Sequence, residues 1–333
     1  MTGHLVGLFH RTVQFMENGV KPIWVFDGKA PELKSDELQK RKEMKQAAEE
    51  EKEQAIAAGD MERAKQLAGR SIRITAEMMA DAKKLVRLMG VPVIEAPGEA
   101  EAQCAQLVKM GMAFGTATED MDALTFGSKF LIRGFNSKKE PVTQVDLEAV
   151  LEGFNMNMEE FIDLCIMCGC DYTVTIGGIG PIKAFKLIED HRTIERALEV
   201  IRESNEDPKK KQKFIIPDNF LYEQSRQLFK EPDVITDADE LNPHLKWNKP
   251  DADALKSFLV EEKSFTEQKV SSGLQKLQNC QGKTNQSRLD LFFRSAGSTQ
   301  SSTPAAKGRG AAAAGMKRKT QSMGGAGRGR GKR

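Results

Sequence analysis

Cysteine is sparse in this sequence and histidine sparser. Five cysteines, an odd number in a chain of 333 residues, do not suggest a disulfide framework and fit a reducing compartment. Cys165, Cys168 and Cys170 fall close together, but a zinc site needs further Cys or His ligands. His4, His10, His191 and His244 form no cluster in sequence, so these thiols read as small buried apolar groups. No run of about twenty apolar residues occurs, which excludes a membrane-spanning helix, and the opening residues lack a signal-sequence pattern; no membrane partner is expected. Charge of one sign is not in excess either: 50 basic against 48 acidic residues leave a net +2, so no global field announces nucleic acid. Aromatics are few, at 6%. What remains is 39% hydrophobic content, enough for one large core or two modest ones.

What is present in a telling arrangement is acid. Val91-Pro92-Val93-Ile94 runs into Glu99 and Glu101, and Met112-Ala113-Phe114 runs into Asp120 and Asp122. A third apolar run, Ile23-Trp24-Val25-Phe26, ends in Asp27, and Asp171 follows the apolar helix predicted over 161–167. Ligands in open α/β sheets collect beyond the carboxyl ends of the strands. Carboxylates gathered there repel one another unless cations sit between them, and oxygen ligands suit Mg²⁺ or Mn²⁺ better than Zn²⁺. The bland alternative is a set of solvated helix starts, where Asp and Glu are common. It explains any single one of these acids better than it explains all six.

The rest of the chain alternates α and β as far as residue 168. A helix is predicted over 4–17, with Thr2 as its cap and Asn18-Gly19 as its end. Residues 31–69 are almost entirely charged residues, Ala and Gln, predicting helices without a core-sized apolar stripe, broken at Ala58-Gly59-Asp60. This is either a solvated hairpin or a basic arch gripping a phosphate backbone. A helix over 71–89 follows, then strands at 91–94, 112–114, 130–133 and 142–145, and helices at 147–153 and 158–168. Gly177-Gly178-Ile179-Gly180-Pro181 then precedes a helix at 182–189 carrying Lys183 and Lys186. Such a turn lets backbone amides approach a phosphate. From 193 to 277 the chain reads as helical, with loops at 209–217 and 242–251.

Beyond residue 278 polar sequence surrounds Gln286-Ser287-Arg288-Leu289-Asp290-Leu291-Phe292-Phe293. Adjacent aromatics are unusual in such tails, and Leu289, Phe292 and Phe293 on one helical turn make a plug for a hydrophobic pocket. Met316-Lys317-Arg318-Lys319 and the Gly-Arg run to Arg333 read as a nuclear-import signal or a loose nucleic-acid contact; a merely solubilising role is open for the Gly-Arg part.

Five ordered motifs carry a resemblance: Val-Phe-Asp-Gly-Lys at 25–29, Glu-Ala-Pro-Gly-Glu-Ala-Glu-Ala at 95–102, Ala-Thr-Glu-Asp-Met-Asp at 117–122, Gly-Cys-Asp-Tyr at 169–172 and Gly-Ile-Gly-Pro at 178–181. Together they resemble the flap endonucleases, structure-specific 5′-nucleases of replication and repair. The resemblance implies an α/β, PIN-like nuclease core with a mostly parallel sheet flanked by helices. Its parts are a nuclease region at 1–30 and 71–170, a helical arch at 31–70, a helix-hairpin and helical region at 171–277, and a disordered tail at 278–333. It implies Asp27, Glu99, Glu101, Asp120, Asp122 and Asp171 as ligands of two Mg²⁺, with Mn²⁺ able to substitute. Lys34 and Arg41 become the cations on the scissile phosphate. Arg11, Glu99, Gly169, Gly178, Gly180 and Lys183 become DNA contacts. Gln286, Leu289, Phe292 and Phe293 become a sliding-clamp (PCNA) box on a monomer that handles flap DNA in the nucleus, and in mitochondria as a further destination. Family members begin with a strand ending in another metal-binding Asp and a helix pair, and this sequence starts after them. Weak or absent cleavage is therefore one expectation, and a clamp- and DNA-binding role the alternative to an active nuclease.

Overall fold

In the computed structural model residues 2–72, 74–135, 141–208 and 213–280 are described. The first helix, α1 (Gly3–Glu17), buries Leu5, Phe9, Val13 and Met16 at helical spacing. Thr2 makes no side-chain cap bond, contrary to expectation. Only its carbonyl oxygen closes the first turn, accepting from Leu5 and Val6 N–H. Gly19 ends the turn at φ 81°, a conformation that glycine reaches without a Cβ penalty.

Strand β1 (Trp24–Phe26) pairs in parallel with β2 (Val93–Glu95). Between them lie α2 (Ser35–Ala57), α3 (Met61–Ala68) and α4 (Ala76–Leu88). The α2–α3 hairpin breaks at Gly59, φ 75°, and Asp60 caps α3 by accepting Arg63 N–H at 2.9 Å. Helix α2 buries only Ala48 and Ala55, as its polar sequence requires. The helix predicted from residue 71 starts five residues late, because Thr75 supplies the cap, accepting Met78 N–H at 3.1 Å.

Helix α5 (Ala100–Lys109) leads to β3 (Thr116–Ala117). The strand expected at 112–114 is a turn instead. Gly111 at φ 69° reverses the chain, and Met112 and Ala113 N–H both bond back to the Leu107 carbonyl, so extended pairing begins only at Thr116. Helix α6 (Asp122–Thr125) precedes β4 (Phe130–Arg133), parallel to β3, and β5 (Thr143–Asp146), antiparallel to β4. The strands thus form a two-stranded and a three-stranded sheet.

The remainder is helical: α7 (Leu147–Phe154), α8 (Met158–Cys168), α9 (Pro181–His191), α10 (Ile194–Glu206), α11 (Tyr222–Lys230), α12 (Ala238–Leu241), α13 (Ala252–Lys256, continued by a π turn over Ser257–Glu262) and α14 (Glu267–Cys280). Asn157 and Glu160 close a capping box at the start of α8. One apolar cluster joins α8, α9, α10 and α11 through Ile166, Ile188, Ile201 and Phe229. A second joins α1, α4, α13 and α14 through Phe9, Leu85, Leu255 and Leu274. The buried ion pair of Asp163 with Arg226, Nε to Oδ1 at 2.6 Å, fixes α11 on α8. Among the described residues no helix is long and apolar enough to cross a membrane.

Candidate active site

The acids converge because two neighbouring strands deliver their loops to each other. Beyond β1, Gly28 N–H donates to the Gly98 carbonyl at 2.8 Å and Lys29 N–H to the Pro97 carbonyl at 2.9 Å. This zipping places Asp27 at the start of α5, where Oδ1 accepts Ala100 N–H at 2.9 Å. One strand end thereby caps the helix that follows the other strand. Glu99, at the N-cap position of α5, makes no side-chain cap bond. Its carboxylate is held instead by Lys34 on Oε1 and by the Tyr172 hydroxyl on Oε2.

Lys34 also reaches Asp171 Oδ2 at 3.1 Å. Arg41 Nη2 donates to both Asp171 oxygens at 2.9 Å, while its Nε donates to Glu37 Oε1 at 2.9 Å, one helical turn away. The base of the α2–α3 arch is therefore tied to two of the predicted acids. Burial by itself would lower the Lys34 ammonium, but Glu99 and Asp171 outweigh it and hold the group above its ordinary value.

A second chain of contacts links the other acids. Thr118 Oγ1 donates to Glu101 Oε1 at 3.4 Å and accepts Asp120 N–H at 3.1 Å, and Asp122 N–H donates to Asp120 Oδ1 at 3.0 Å. Burial first, then the charges of Asp120, Asp171 and Glu99, push Asp122 up to about 7. Glu101 is raised by burial, with Asp27, Asp120 and Glu99 adding to it. Carboxylates from four segments thus act on one another as a single electrostatic cluster.

Among the described residues no three acid, Cys or His side chains close around one point in a geometry that could hold an ion. Lys34 and Arg41 hold Glu99 and Asp171 in their present orientation. The donor chemistry nevertheless fits a hard divalent cation: every candidate ligand is a carboxylate, and their mutual repulsion is what such a cation relieves. Thiolate chemistry does not fit. Burial pushes Cys104 and Cys165 up to about 12 and raises Cys168 and Cys170 as well.

The predicted DNA contacts occupy separate places. Gly169 ends α8 at φ 116° and Gly178 turns at φ 86°. Lys183 Nζ donates to the Gly178 carbonyl at 2.9 Å and lies 4.9 Å from the Phe214 ring centroid. Gly180 precedes α9, whose N-terminus has no side-chain cap. Arg11 is half-buried on α1, the helix whose Thr12 hydroxyl accepts the indole N–H of the β1 residue Trp24 at 3.1 Å. Gln286, Leu289, Phe292 and Phe293 lie outside the described residues. Thr118 and Tyr172 were not singled out by sequence reasoning, although both stand inside the quoted motifs. A polar residue one or two places from each acid was the available signal.

Two family models match the chain: the XPG N-terminal domain over residues 1–48 and the XPG I-region over 90–171. The arch base falls in the first, and Asp171 is the last residue of the second. Flap endonuclease 1 of Tetrahymena thermophila is 51% identical over 306 residues, covering 92% of this chain and 79% of the relative. Among solved structures, the flap endonuclease-1 of Methanococcus jannaschii is 32% identical with a TM-score of 0.61, covering 84% of this chain and 82% of that one. The catalytic core of Rad2 in complex with DNA substrate superposes with a TM-score of 0.64 over 83% of this chain and 87% of that one. At 24% identity this shows the shared fold. With half of its residues identical to a curated relative across nine-tenths of its length, the chain belongs to the flap endonuclease family.

Proposed function

We propose that the carboxylate cluster is the hydrolytic centre of a structure-specific 5′-flap endonuclease with accompanying 5′–3′ exonuclease activity. The observation that carries this reading is the tie between the arch and the acids. Lys34 and Arg41, on a segment with almost no core of its own, reach the same carboxylates that the strand ends and the α8 terminus deliver. An arch anchored beside an acidic cluster suits a strand that passes through it and is cut at its base.

In this reading Asp27, Glu99, Glu101, Asp120, Asp122 and Asp171 would hold two Mg²⁺, for which Mn²⁺ could substitute. Ions bound there would supply an activated water and charge stabilisation of the leaving oxygen in an in-line phosphodiester hydrolysis. Lys34 and Arg41 neutralise the scissile phosphate as its charge builds. Gly178, Gly180 and Lys183 grip the duplex backbone through the uncapped α9 terminus, sequence-independently. Gly169 lets the backbone approach beside Asp171, and Arg11 adds a further contact. The box at 286–293 docks on a sliding clamp, and the basic tail directs the chain to the nucleus; the sequence motifs alone support these last two assignments.

The test is cleavage of a labelled 5′-flap duplex by the purified chain. A product cut at the flap base in Mg²⁺, and none in chelator, supports the reading. Absence of product from a sample that unfolds cooperatively moves the assignment to a clamp- and DNA-binding protein.

A further inference from the structure

Tyr172 is 2% exposed, and a phenol that deep is expected to find a hydrogen-bond partner. Its partner is Glu99 Oε2. An ionised carboxylate only accepts, so the phenol O–H is the donor of this bond. Lys34 takes the other oxygen but divides itself between Glu99 and Asp171, and it sits on the arch. Tyr172 sits on the packed core.

That core fixes the ring. Tyr172 meets Phe229 edge-on, centroids 5.0 Å apart, and Phe229 meets Phe126 at 5.0 Å. Phe126 directly follows α6, the short helix that begins with Asp122. The aromatic row thus spans from the Asp122 helix to the Glu99 carboxylate. A carboxylate has about four lone-pair positions, so one hydrogen bond orients it while leaving acceptor capacity for a cation.

We propose that Tyr172 is a positioning residue for Glu99, its hydroxyl setting the direction in which that carboxylate faces a divalent cation. The proposal rests on the reading of Glu99 as a metal ligand. Partners that orient a ligand typically matter 10- to 100-fold in metal affinity, by rough measure. Tyr172→Phe removes the hydroxyl and keeps the ring in its row.

The experiment is calorimetric titration of Mg²⁺ into the full chain, its Tyr172→Phe and Glu99→Gln variants and the double variant, after cooperative unfolding of each has been verified in chelator. Expected is about ten-fold weaker Mg²⁺ binding for Tyr172→Phe, a matching rise in the Mg²⁺ needed for half-maximal flap cleavage, and an unchanged KM for the flap. In the Glu99→Gln background the same substitution changes affinity by less than about two-fold, because the two residues act as one unit. Unchanged Mg²⁺ affinity in Tyr172→Phe overturns the proposal while leaving the metal reading intact. So does an equal loss in both backgrounds, which marks a purely structural residue. No Mg²⁺ uptake by the unsubstituted chain overturns the metal reading itself.

Discussion

The Asp27 carboxylate accepts the Ala100 N–H at 2.9 Å across 73 residues of sequence. This single bond couples the end of β1 to the start of α5, and so couples two of the predicted metal-binding segments. It leaves the Glu99 side chain to Lys34 and Tyr172.

Gly28 is what permits the coupling. A Cβ there would overlap the carbonyl oxygens of Ala96 and Pro97, and backbone atoms in a paired loop cannot swing aside. Gly28→Ala is expected to cost about 1–3 kcal/mol in urea unfolding and to weaken Mg²⁺ binding by displacing Asp27. Wild-type stability with wild-type Mg²⁺ affinity would contradict this account of the loop.

The raised Asp122 carboxyl sets a pH dependence. The unfolded value is about 3.9 and the folded value about 7, so between them the native state binds more protons than the unfolded state. Stability in chelator therefore falls as pH rises from about 4 to 7 and levels off above, with Glu101 acting in the same direction. Thermal midpoints across that range, with Asp122→Asn beside the unsubstituted chain, check it. The variant is expected to show a shallower slope, and saturating Mg²⁺ to raise the midpoint most at neutral pH.

The Asp163–Arg226 pair offers a test of the helical half away from the cluster. Asp163 is 3% exposed and is bonded by Arg226 Nε and Nη2 and by Ile194 N–H, while Arg226 also holds Glu195. Arg226→Met leaves a buried carboxylate without its counter-charge, which typically costs about 3–5 kcal/mol. Denaturant unfolding is expected to show a loss near the lower figure, because the Ile194 N–H remains. Double substitution to Arg226→Met with Asp163→Leu should recover part of it.

Lys34 separates binding from chemistry. Lys34→Ala removes the charge we propose faces the transition state, so single-turnover cleavage is expected to slow by about 10²–10³-fold. Flap binding measured in Ca²⁺ should weaken far less. A loss of binding as large as the loss of rate would make Lys34 a docking residue only.

Much of this was legible in the chain itself. The doublets Glu99/Glu101 and Asp120/Asp122 announce themselves because each follows an apolar run, and the helix expected at 158–168 is found at Met158–Cys168. The strand placed at 112–114 failed for a nameable reason: an apolar triplet says nothing about the hydrogen bonds that Met112 and Ala113 return to Leu107. Thr2 has the right side chain for a cap but not the geometry, at ψ 11°. The Asp27–Ala100 bond and the Tyr172–Glu99 contact were invisible because both join segments whose proximity only the folded sheet and the aromatic row create.

Central to all of this is that one carboxylate cluster performs the hydrolysis. The most direct measurement is cleavage of a labelled 5′-flap duplex in Mg²⁺ by the chain and by its Asp122→Ala variant, with flap binding followed in parallel. The account predicts cutting at the flap base by the unsubstituted chain, none above background by the variant, and binding by both. Equal cleavage by the two proteins would contradict it.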